Sequence, residues 1–309
     1  MKLPVGVAGV GRWGKNIVRA LERSSDFELV AVAEPRNVGL GVPRFESLSA
    51  LLSLHQLSAV VIATPPASHA ELARLALSRG VNALVEKPMC TSRIEAEQLR
   101  QDMLGANARL MVGHLLLFHP AVRGLERLIE HGRVGNVLRV QVERWSQAGQ
   151  DPERCPWWTL APHDLAVLLR WFGVPLALQL SEQSSGQILA RLRYAAGVTA
   201  ELSLFTKAAE KRRRMSLTGS LGSAVFDDLA SHKLVLLEAG HARPVAISSE
   251  APLDLELKHF AQGLRSGGRF DADVEQGAVV VEILTRGQQS LDHGGAWIPC
   301  APEVARYGS

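Results

Sequence analysis

The 309-residue sequence predicts an α/β protein in two parts: an N-terminal parallel sheet covered by helices on both faces, then an α/β domain with an open, mostly antiparallel sheet. Three observations predict it. Up to about Pro120, short apolar runs alternate with helical periods, the pattern of parallel strands buried on both faces. Beyond Pro120, strand-like runs follow one another without helices between them, which argues for antiparallel neighbours. With 47% hydrophobic and 21% charged residues, the chain can fill two cores and is too hydrophobic to stay disordered.

In the first part, Val5 to Val10 reads as a buried strand. Lys15 to Ser24 reads as an amphipathic helix with Ile17, Val18 and Leu21 on one side. Leu29 to Ala33 is a second strand, Leu48 to His55 a short helix, and Ala59 to Ala63 a third strand. Ser68 to Arg79 is helical by period and stops at Gly80, a C-terminal glycine signal. Asn82 to Val85 is a strand, Ser92 to Met103 a helix, and Arg109 to Gly113 a strand.

After Pro120 the pattern changes. Ala121 to His131 makes a helix whose Val122, Leu125, Leu128 and Ile129 share a face. Val137 to Trp145 is a strand, with Leu138, Val140 and Val142 pointing one way. Ser146 to Pro156 reads as a loop, and Pro162 to Trp171 as a helix that Pro162 starts and Gly173 ends. Strand signals follow at Ala177 to Ser181, Gln187 to Tyr194, Val198 to Phe205, Arg212 to Thr218, Ser223 to Asp227 and Lys233 to Glu238. Asp254 to Ser266 and Val274 to Gln288 close the chain as helices. The domains therefore divide as 1–120 and 121–309.

Composition excludes several classes. Positive and negative side chains number 34 and 31, so the net charge of +3 does not suggest a nucleic-acid binder. Three cysteines without CxxC spacing (Cys90, Cys155, Cys300) support neither a disulfide framework nor a cysteine zinc site. The sequence has no HExxH, no GxSxG and no apolar run of membrane-spanning length, and the apolar stretch at its start is broken by glycines and Arg12. The expectation is a soluble cytoplasmic protein without metal or membrane partner.

The strongest chemical signal is Gly9-Val10-Gly11-Arg12-Trp13-Gly14, directly after the first strand and opening the first helix. Glycines serve a sharp turn and let backbone approach a pyrophosphate, which then meets unpaired amides at the helix N-terminus. Glu34 ends the second strand 20 residues after Gly14, where a carboxylate accepts bonds from the adenosine ribose hydroxyls. A 2′-phosphate would face like charge there, so NAD is expected rather than NADP. Arg36 is placed to stack on adenine or to contact a 2′-phosphate, and Trp13 to pack on the cofactor or on its own domain.

Three further segments fall at C-terminal strand ends, where open α/β sheets place ligands. In Ala63-Thr64-Pro65-Pro66-Ala67-Ser68-His69 the prolines stiffen a turn, Ser68 is a candidate cap and Thr64 offers a hydroxyl to the cofactor. In Glu86-Lys87-Pro88 the lysine sits on short, stiff backbone and can hydrogen-bond a substrate hydroxyl. His114 follows the last strand, and His119 stands at the boundary. For both, a structural histidine is as good a reading as a ligand contact. In the second part, Trp157 to Asp164 places His163 at the predicted helix start, where an imidazole can take a hydroxyl proton. Asp164 caps or orients. The run Lys211 to Arg214 alternates within a strand, with one arginine a candidate for phosphate.

Together these segments resemble the Gfo/Idh/MocA family of oxidoreductases. The resemblance rests on GVGRWG at 9–14, AEP at 33–35, ATPPASH at 63–69, EKP at 86–88, GH at 113–114, LAPHD at 160–164, RRMSLTGSLGSAVFDD at 213–228 and HFAQGLRSGGRF at 259–270. It implies an N-terminal Rossmann domain that binds NAD, then a substrate-binding and oligomerisation domain. Lys87 occupies the place of the family's lysine on the reacting hydroxyl and His163 that of its acid/base histidine, which makes them the expected catalytic pair. Where many members carry an aspartate four residues before that histidine, this chain has Thr159, which cannot accept a proton at neutral pH.

The expected cofactor contacts are Gly9, Gly11, Arg12, Trp13, Gly14 and Glu34, with Arg36, Thr64, Pro65, His69, Glu86 and Lys87. The expected substrate contacts are Lys87, His114, His119 and Arg144, with Trp158, Thr159 and His163. Residues 114–137 and 157–173 look most like members that oxidise the 3-hydroxyl of UDP-N-acetylglucosamine or its uronic acid. That implies a nucleotide-sugar substrate, a keto product consumed by an aminotransferase in lipid A or surface-polysaccharide synthesis, and a homodimer or homotetramer. The alternatives are a dehydrogenase or reductase of a free sugar, polyol or keto-sugar, and a non-catalytic NAD-binding regulator.

Overall fold

A computed structural model describes residues 1–53, 56–105, 107–147, 155–183 and 185–300. In chain order the first elements are β1 (Leu3–Ala8), α1 (Gly14–Arg23), β2 (Phe27–Ala33), β3 (Arg44–Phe45), α2 (Leu48–Leu51) and β4 (Ala59–Ile62). α3 (His69–Ser78), β5 (Asn82–Glu86), α4 (Arg93–Gly105) and β6 (Leu110–Gly113) follow. Next come α5 (Pro120–Glu130), β7 (Val137–Gln147), α6 (Pro156–Phe172), β8 (Ala177–Glu182), β9 (Ile188–Arg193) and β10 (Thr199–Ala208). Then β11 (Arg212–Gly219), β12 (Gly222–Asp227), β13 (Leu234–Glu238) and β14 (His241–Pro244) lead to α7 (Pro252–Ser266), α8 (Val274–Asp292) and β15 (Ile298–Pro299).

The chain forms two compact units, Met1–Leu115 with Ala251–Val281, and Leu116–Glu250 with Glu282–Ser309. The first unit holds a six-stranded sheet in the order β3-β2-β1-β4-β5-β6, with every strand pair among the described residues parallel. Val5, Val7, Val60, Val61, Ile62, Ala83 and Val85 are fully buried, as strands covered on both faces must be. The strand read as Val5 to Val10 ends at Ala8, because Gly9 takes a left-handed φ of +87° that breaks the ladder. The edge strand β3 has two residues and no periodicity to reveal it. His55, in the predicted second helix, lies outside the described residues.

The division at Pro120 differs from these units in one respect that local pattern cannot show: Ala251–Val281 returns to the first unit. Phe260 on α7 stacks on Phe27 at 5.8 Å. Arg109 donates to the carbonyl oxygens of Gly263 and Gly268 and lies over the Phe270 ring. The Val112 amide donates to Ala272 O at 2.8 Å, and a Cβ on Gly277 would stand 2.8 Å from Met89 Sδ. These are non-local contacts, between residues far apart in sequence.

The second unit holds a nine-stranded sheet among its described residues, ordered β14-β13-β12-β11-β7-β10-β9-β8-β15. Among the described residues its strand pairs are antiparallel except β7 with β10. Along β10, Ala200, Leu202 and Leu204 are buried while Thr199, Glu201 and Ser203 face the other side. α6 packs on β7 and β10, and α5 on β12 and β13. Leu138 does not share the buried face of Val140 and Val142: it is 52% exposed, opposite the bulge between Thr218 and Gly219 that breaks the register.

Two predicted boundaries move. Residues 148–154 of the predicted loop lie outside the described residues, and β7 runs on to Gln147. More consequential for the site, the helix does not begin at Pro162. It begins at Pro156, where a missing N–H costs nothing, and Pro162 lies inside it. The first turn is pinned by packing: Trp157 is fully buried and its Nε1 donates to Leu284 O at 2.8 Å. Burial of that indole outweighs the hydrogen bond that Pro162 forfeits.

Candidate active site

In the first unit, the predicted cofactor residues gather along one edge of the parallel sheet, because each follows the C-terminal end of a strand. Gly9 follows β1, Glu34 follows β2, Thr64 follows β4, Glu86 ends β5 and His114 follows β6. Three glycines of the turn have three different duties. A Cβ on Gly9 would stand 2.7 Å from Ala63 O, and one on Gly14 would collide with the Gly9 carbonyl oxygen. A Cβ on Gly11 would meet nothing within 4 Å. The first two close the turn and seat α1, while the third leaves bare backbone facing open space at the helix N-terminus. That is the cradle a pyrophosphate needs, so the residues present fit a dinucleotide.

At the far end of this edge, Glu34 is 4% exposed and its Oε2 accepts the Val10 amide at 2.9 Å. Arg36 binds the same carboxylate with its backbone N–H and both arms of its guanidinium. The Arg36 hydrogen bond holds the Glu34 carboxyl down at about 2, against the opposing push of burial.

The middle of the edge is tied together by side chains. Trp13 Nε1 donates to Glu86 Oε1, and the Lys87 amide donates to Glu86 Oε2 at 3.3 Å. Ser68 does not cap α3; its hydroxyl donates to Thr64 Oγ1 and Pro65 O, both at 2.8 Å. His69 is 1% exposed, with Nδ1 2.8 Å from Pro88 O and Nε2 2.8 Å from Thr64 O. It therefore lies behind the cofactor edge and joins two of its loops. Arg12 is exposed at the helix start, and Lys87 is half-buried.

Lys87 stands beside groups whose charged forms burial disfavours. Burial, with a smaller push from the Lys87 charge, lowers the His114 imidazole from 6.5 to about 3. Burial likewise raises the Glu86 carboxyl, while its Trp13 bond and Lys87 pull the other way. A residue the sequence gave no reason to single out joins them: Glu256 on α7 is 1% exposed, its Oε1 has no hydrogen-bond partner, and burial raises its carboxyl well above the ordinary value. A glutamate in an amphipathic helix carries no signal of its own; only tertiary packing buries it.

In the second unit, α6 carries His163 at mid-helix, half-buried, with Thr159 one turn earlier on the same face. The Thr159 hydroxyl donates to Cys155 O at 3.1 Å, and Trp158 Nε1 donates to Gln288 Oε1 at 3.2 Å. Asp164 is not a cap. It is fully buried and takes both arms of the Arg144 guanidinium, one at 3.0 Å. Arg144 is thus committed to holding α6 against β7. His119 is a helix cap: its Nδ1 accepts the Ala121 amide at 3.1 Å, its Nε2 faces Asp228 at 3.3 Å, and its ring packs on Phe226. Within the predicted basic run, Arg212 binds Glu143 and Glu210, and Arg213 joins Lys233 on Asp228.

Among the described residues no group of three His, Cys, Asp or Glu side chains is placed to hold a metal ion, and no helix is long and apolar enough to cross a membrane.

Comparison with known proteins agrees with this architecture. The rhizopine catabolism protein MocA of Rhizobium meliloti is 29% identical over 150 residues, 47% of each chain, so the match spans about half the length of that relative. An inositol 2-dehydrogenase of Saccharopolyspora erythraea is 26% identical over 276 residues, 81% of this chain and 80% of that one. The UDP-N-acetylglucosamine 3-dehydrogenase of Acidithiobacillus ferrooxidans shares the fold, with a TM-score of 0.85 at 22% identity over 95% of this chain and 99% of that one. The model of the oxidoreductase family with an NAD-binding Rossmann fold matches residues 3–114, the stretch that carries the glycine turn, Glu34 and Lys87. Residues 3–114 thus match the oxidoreductase family with an NAD-binding Rossmann fold, and NAD is the cofactor that this segment implies.

Proposed function

We propose that the protein is an NAD-dependent oxidoreductase acting on a secondary hydroxyl of a free sugar or polyol. The observation that carries this reading is the placement of Lys87 on the same sheet edge as the glycine turn, at the end of β5. The long match to an inositol 2-dehydrogenase supports the substrate class.

When bound, NAD supplies the hydride acceptor. The chain supplies the rest. Gly11 and the first amides of α1 hold the phosphates, and Glu34 holds the adenosine ribose. The Lys87 ammonium donates a hydrogen bond to the substrate hydroxyl oxygen and stabilises the negative charge that develops there, an effect strengthened by a partly dry setting. His163 takes the hydroxyl proton. Thr159 donates to its own helix and carries no charge, so His163 acts without the aspartate that many family members place there.

A second reading is a nucleotide-sugar 3-dehydrogenase that feeds an aminotransferase, favoured by residues 114–137 and 157–173. In either reading a homodimer or homotetramer that covers the open nine-stranded sheet is expected.

The test is reduced-nicotinamide absorbance with purified protein and NAD⁺ against myo-inositol, free hexoses, N-acetylglucosamine and its UDP derivative, with a ketone trap. Turnover on a free polyol or sugar that is lost in Lys87→Ala and His163→Ala supports the proposal. Turnover on the UDP-sugar alone moves the substrate to the second reading. Confirmed NAD binding without turnover on any of them refutes both.

A further inference from the structure

Two acidic side chains of the first unit, Glu86 at the end of β5 and Glu256 on α7, share one dry region of the fold. Glu256 is 1% exposed and its Oε1 has no hydrogen-bond partner. A charged carboxylate with a bare oxygen is costly in such a place, and a carboxylic acid much less so. Glu86 is furnished differently. Its Oε1 accepts the Trp13 indole N–H, its Oε2 accepts the Lys87 amide at 3.3 Å, and a Cβ on Gly113 would stand 3.2 Å from Oε1. Those donors favour the charged form at Glu86, while the bare Oε1 favours the acid at Glu256.

The two carboxyls act on each other. The Glu86 charge adds to burial in raising Glu256, and Lys87 pulls Glu86 toward its charged form against burial. Two like charges in one dry region cannot both form cheaply, so the two together favour holding one proton. The neighbouring imidazoles do not compete for it. Burial lowers His114, after β6, to about 3 and His69, on α3, below its ordinary 6.5, so neither charges above that pH. Around α7, Arg23 is bound to Asp254, Arg265 to Asp26, and Arg109 to the carbonyl oxygens of Gly263 and Gly268, while Lys258 is exposed. These cations are committed elsewhere.

We propose that Glu86 and Glu256 form a proton-holding pair that answers to the charge of the nicotinamide ring, releasing a proton when NAD⁺ binds and keeping it when NADH binds. The proposal rests on the dinucleotide reading of the glycine turn and on the placement of the reacting end beside Lys87. An oxidised nicotinamide carries a positive charge that a reduced one lacks, and a positive charge beside Glu86 favours the ionised pair. The carboxyl O–H is the one bond that breaks, and its proton goes to solvent. Glu256 acts through Glu86, so it is a positioning residue.

The experiment needs no sugar substrate. The full chain, Glu256→Gln, Glu86→Gln and Lys87→Met are titrated with NAD⁺ and with NADH by calorimetry from about pH 6.5 to about pH 8.5, in phosphate and in Tris. The difference in heat between the two buffers counts the protons released, and a thermal melt checks that each variant folds. In the unsubstituted chain the NADH-to-NAD⁺ affinity ratio falls by at least about threefold across that range, and NAD⁺ binding releases protons that NADH binding does not. Glu256→Gln and Glu86→Gln each flatten the ratio to within about twofold, because either change removes the like-charge neighbour. A residue with a merely structural role would weaken both nucleotides and leave the fall intact. A fall that persists in either glutamine variant therefore overturns the proposal, and one that then vanishes in Lys87→Met assigns the proton to the lysine. A flat ratio in the unsubstituted chain also overturns it and leaves the NAD site standing. Failure of both nucleotides to bind overturns the dinucleotide reading itself.

Discussion

The indole N–H of Trp13 donates to Oε1 of Glu86, tying the glycine turn after β1 to the end of β5 across the intervening β4. The bond spans the sheet edge on which the cofactor must lie, and it reaches the residue just before Lys87. Burial raises the Glu86 carboxyl, and the Trp13 N–H is the largest force opposing it. Trp13→Phe keeps a ring and removes the donor. It should cost about 1 kcal/mol in urea unfolding and weaken NADH binding. Unchanged unfolding and NADH affinity would show that the bond does neither job.

The glycine turn makes opposite predictions for two of its members. In Gly14→Ala the new Cβ collides with the Gly9 carbonyl, so the turn must move and both stability and NADH affinity should fall. In Gly11→Ala the new Cβ meets nothing, so the melting temperature should hold while NADH affinity drops by at least about tenfold, because the methyl occupies the space a pyrophosphate approaches. Equal NADH affinity in Gly11→Ala and the unsubstituted chain would refute the cradle.

The legible features were those whose signal is local. The glycine spacing, Glu34 at the end of β2 and Lys87 at the end of β5 were readable because strand, turn and helix follow one another within about 30 residues. What a residue touches across the fold was not. Pro162 looked like a helix start because prolines usually sit there, yet buried Trp157 extends the helix back to Pro156. His119 read equally as a ligand contact or a structural histidine, and Arg144 as a ligand contact. One caps a helix, and the other is spent on Asp164, 20 residues on in the next element. The return of α7 to the first unit, and with it buried Glu256, depends on aromatic stacking between Phe27 and Phe260, 233 positions apart in sequence.

Two buried groups give pH effects of opposite sign. His114 falls from 6.5 to about 3 on folding, so between those values the unfolded chain binds a proton that the folded chain refuses. Stability is lost as pH drops below 6.5, by about 2 kcal/mol at about pH 5 from this residue alone. His114→Gln should flatten that limb of the urea midpoint against pH. Glu256 behaves in the other direction. Its folded carboxyl holds a proton that the unfolded chain releases near 4.5, so its penalty grows as pH rises above that value. Glu256→Gln, a neutral substitute of the same shape, should gain stability over the unsubstituted chain at pH 8 and lose that advantage near pH 4. A constant difference across the range would mean that Glu256 is not buried in its protonated form.

Arg144 and Asp164 test what positions His163. Asp164 has no exposure and Arg144 little, so the pair's two charges compensate each other in a dry place between β7 and α6. Removing either partner strands the other: Asp164→Asn and Arg144→Met should each cost about 3–5 kcal/mol. The double variant Asp164→Leu with Arg144→Met removes both charges and should cost less than the sum of the singles, since the second substitution relieves the penalty left by the first. Additive costs would mean that the pair is solvated and weak. If the double variant regains stability but not turnover, the pair serves to orient the helix that carries His163, because its worth to folding has then been replaced and its geometry has not.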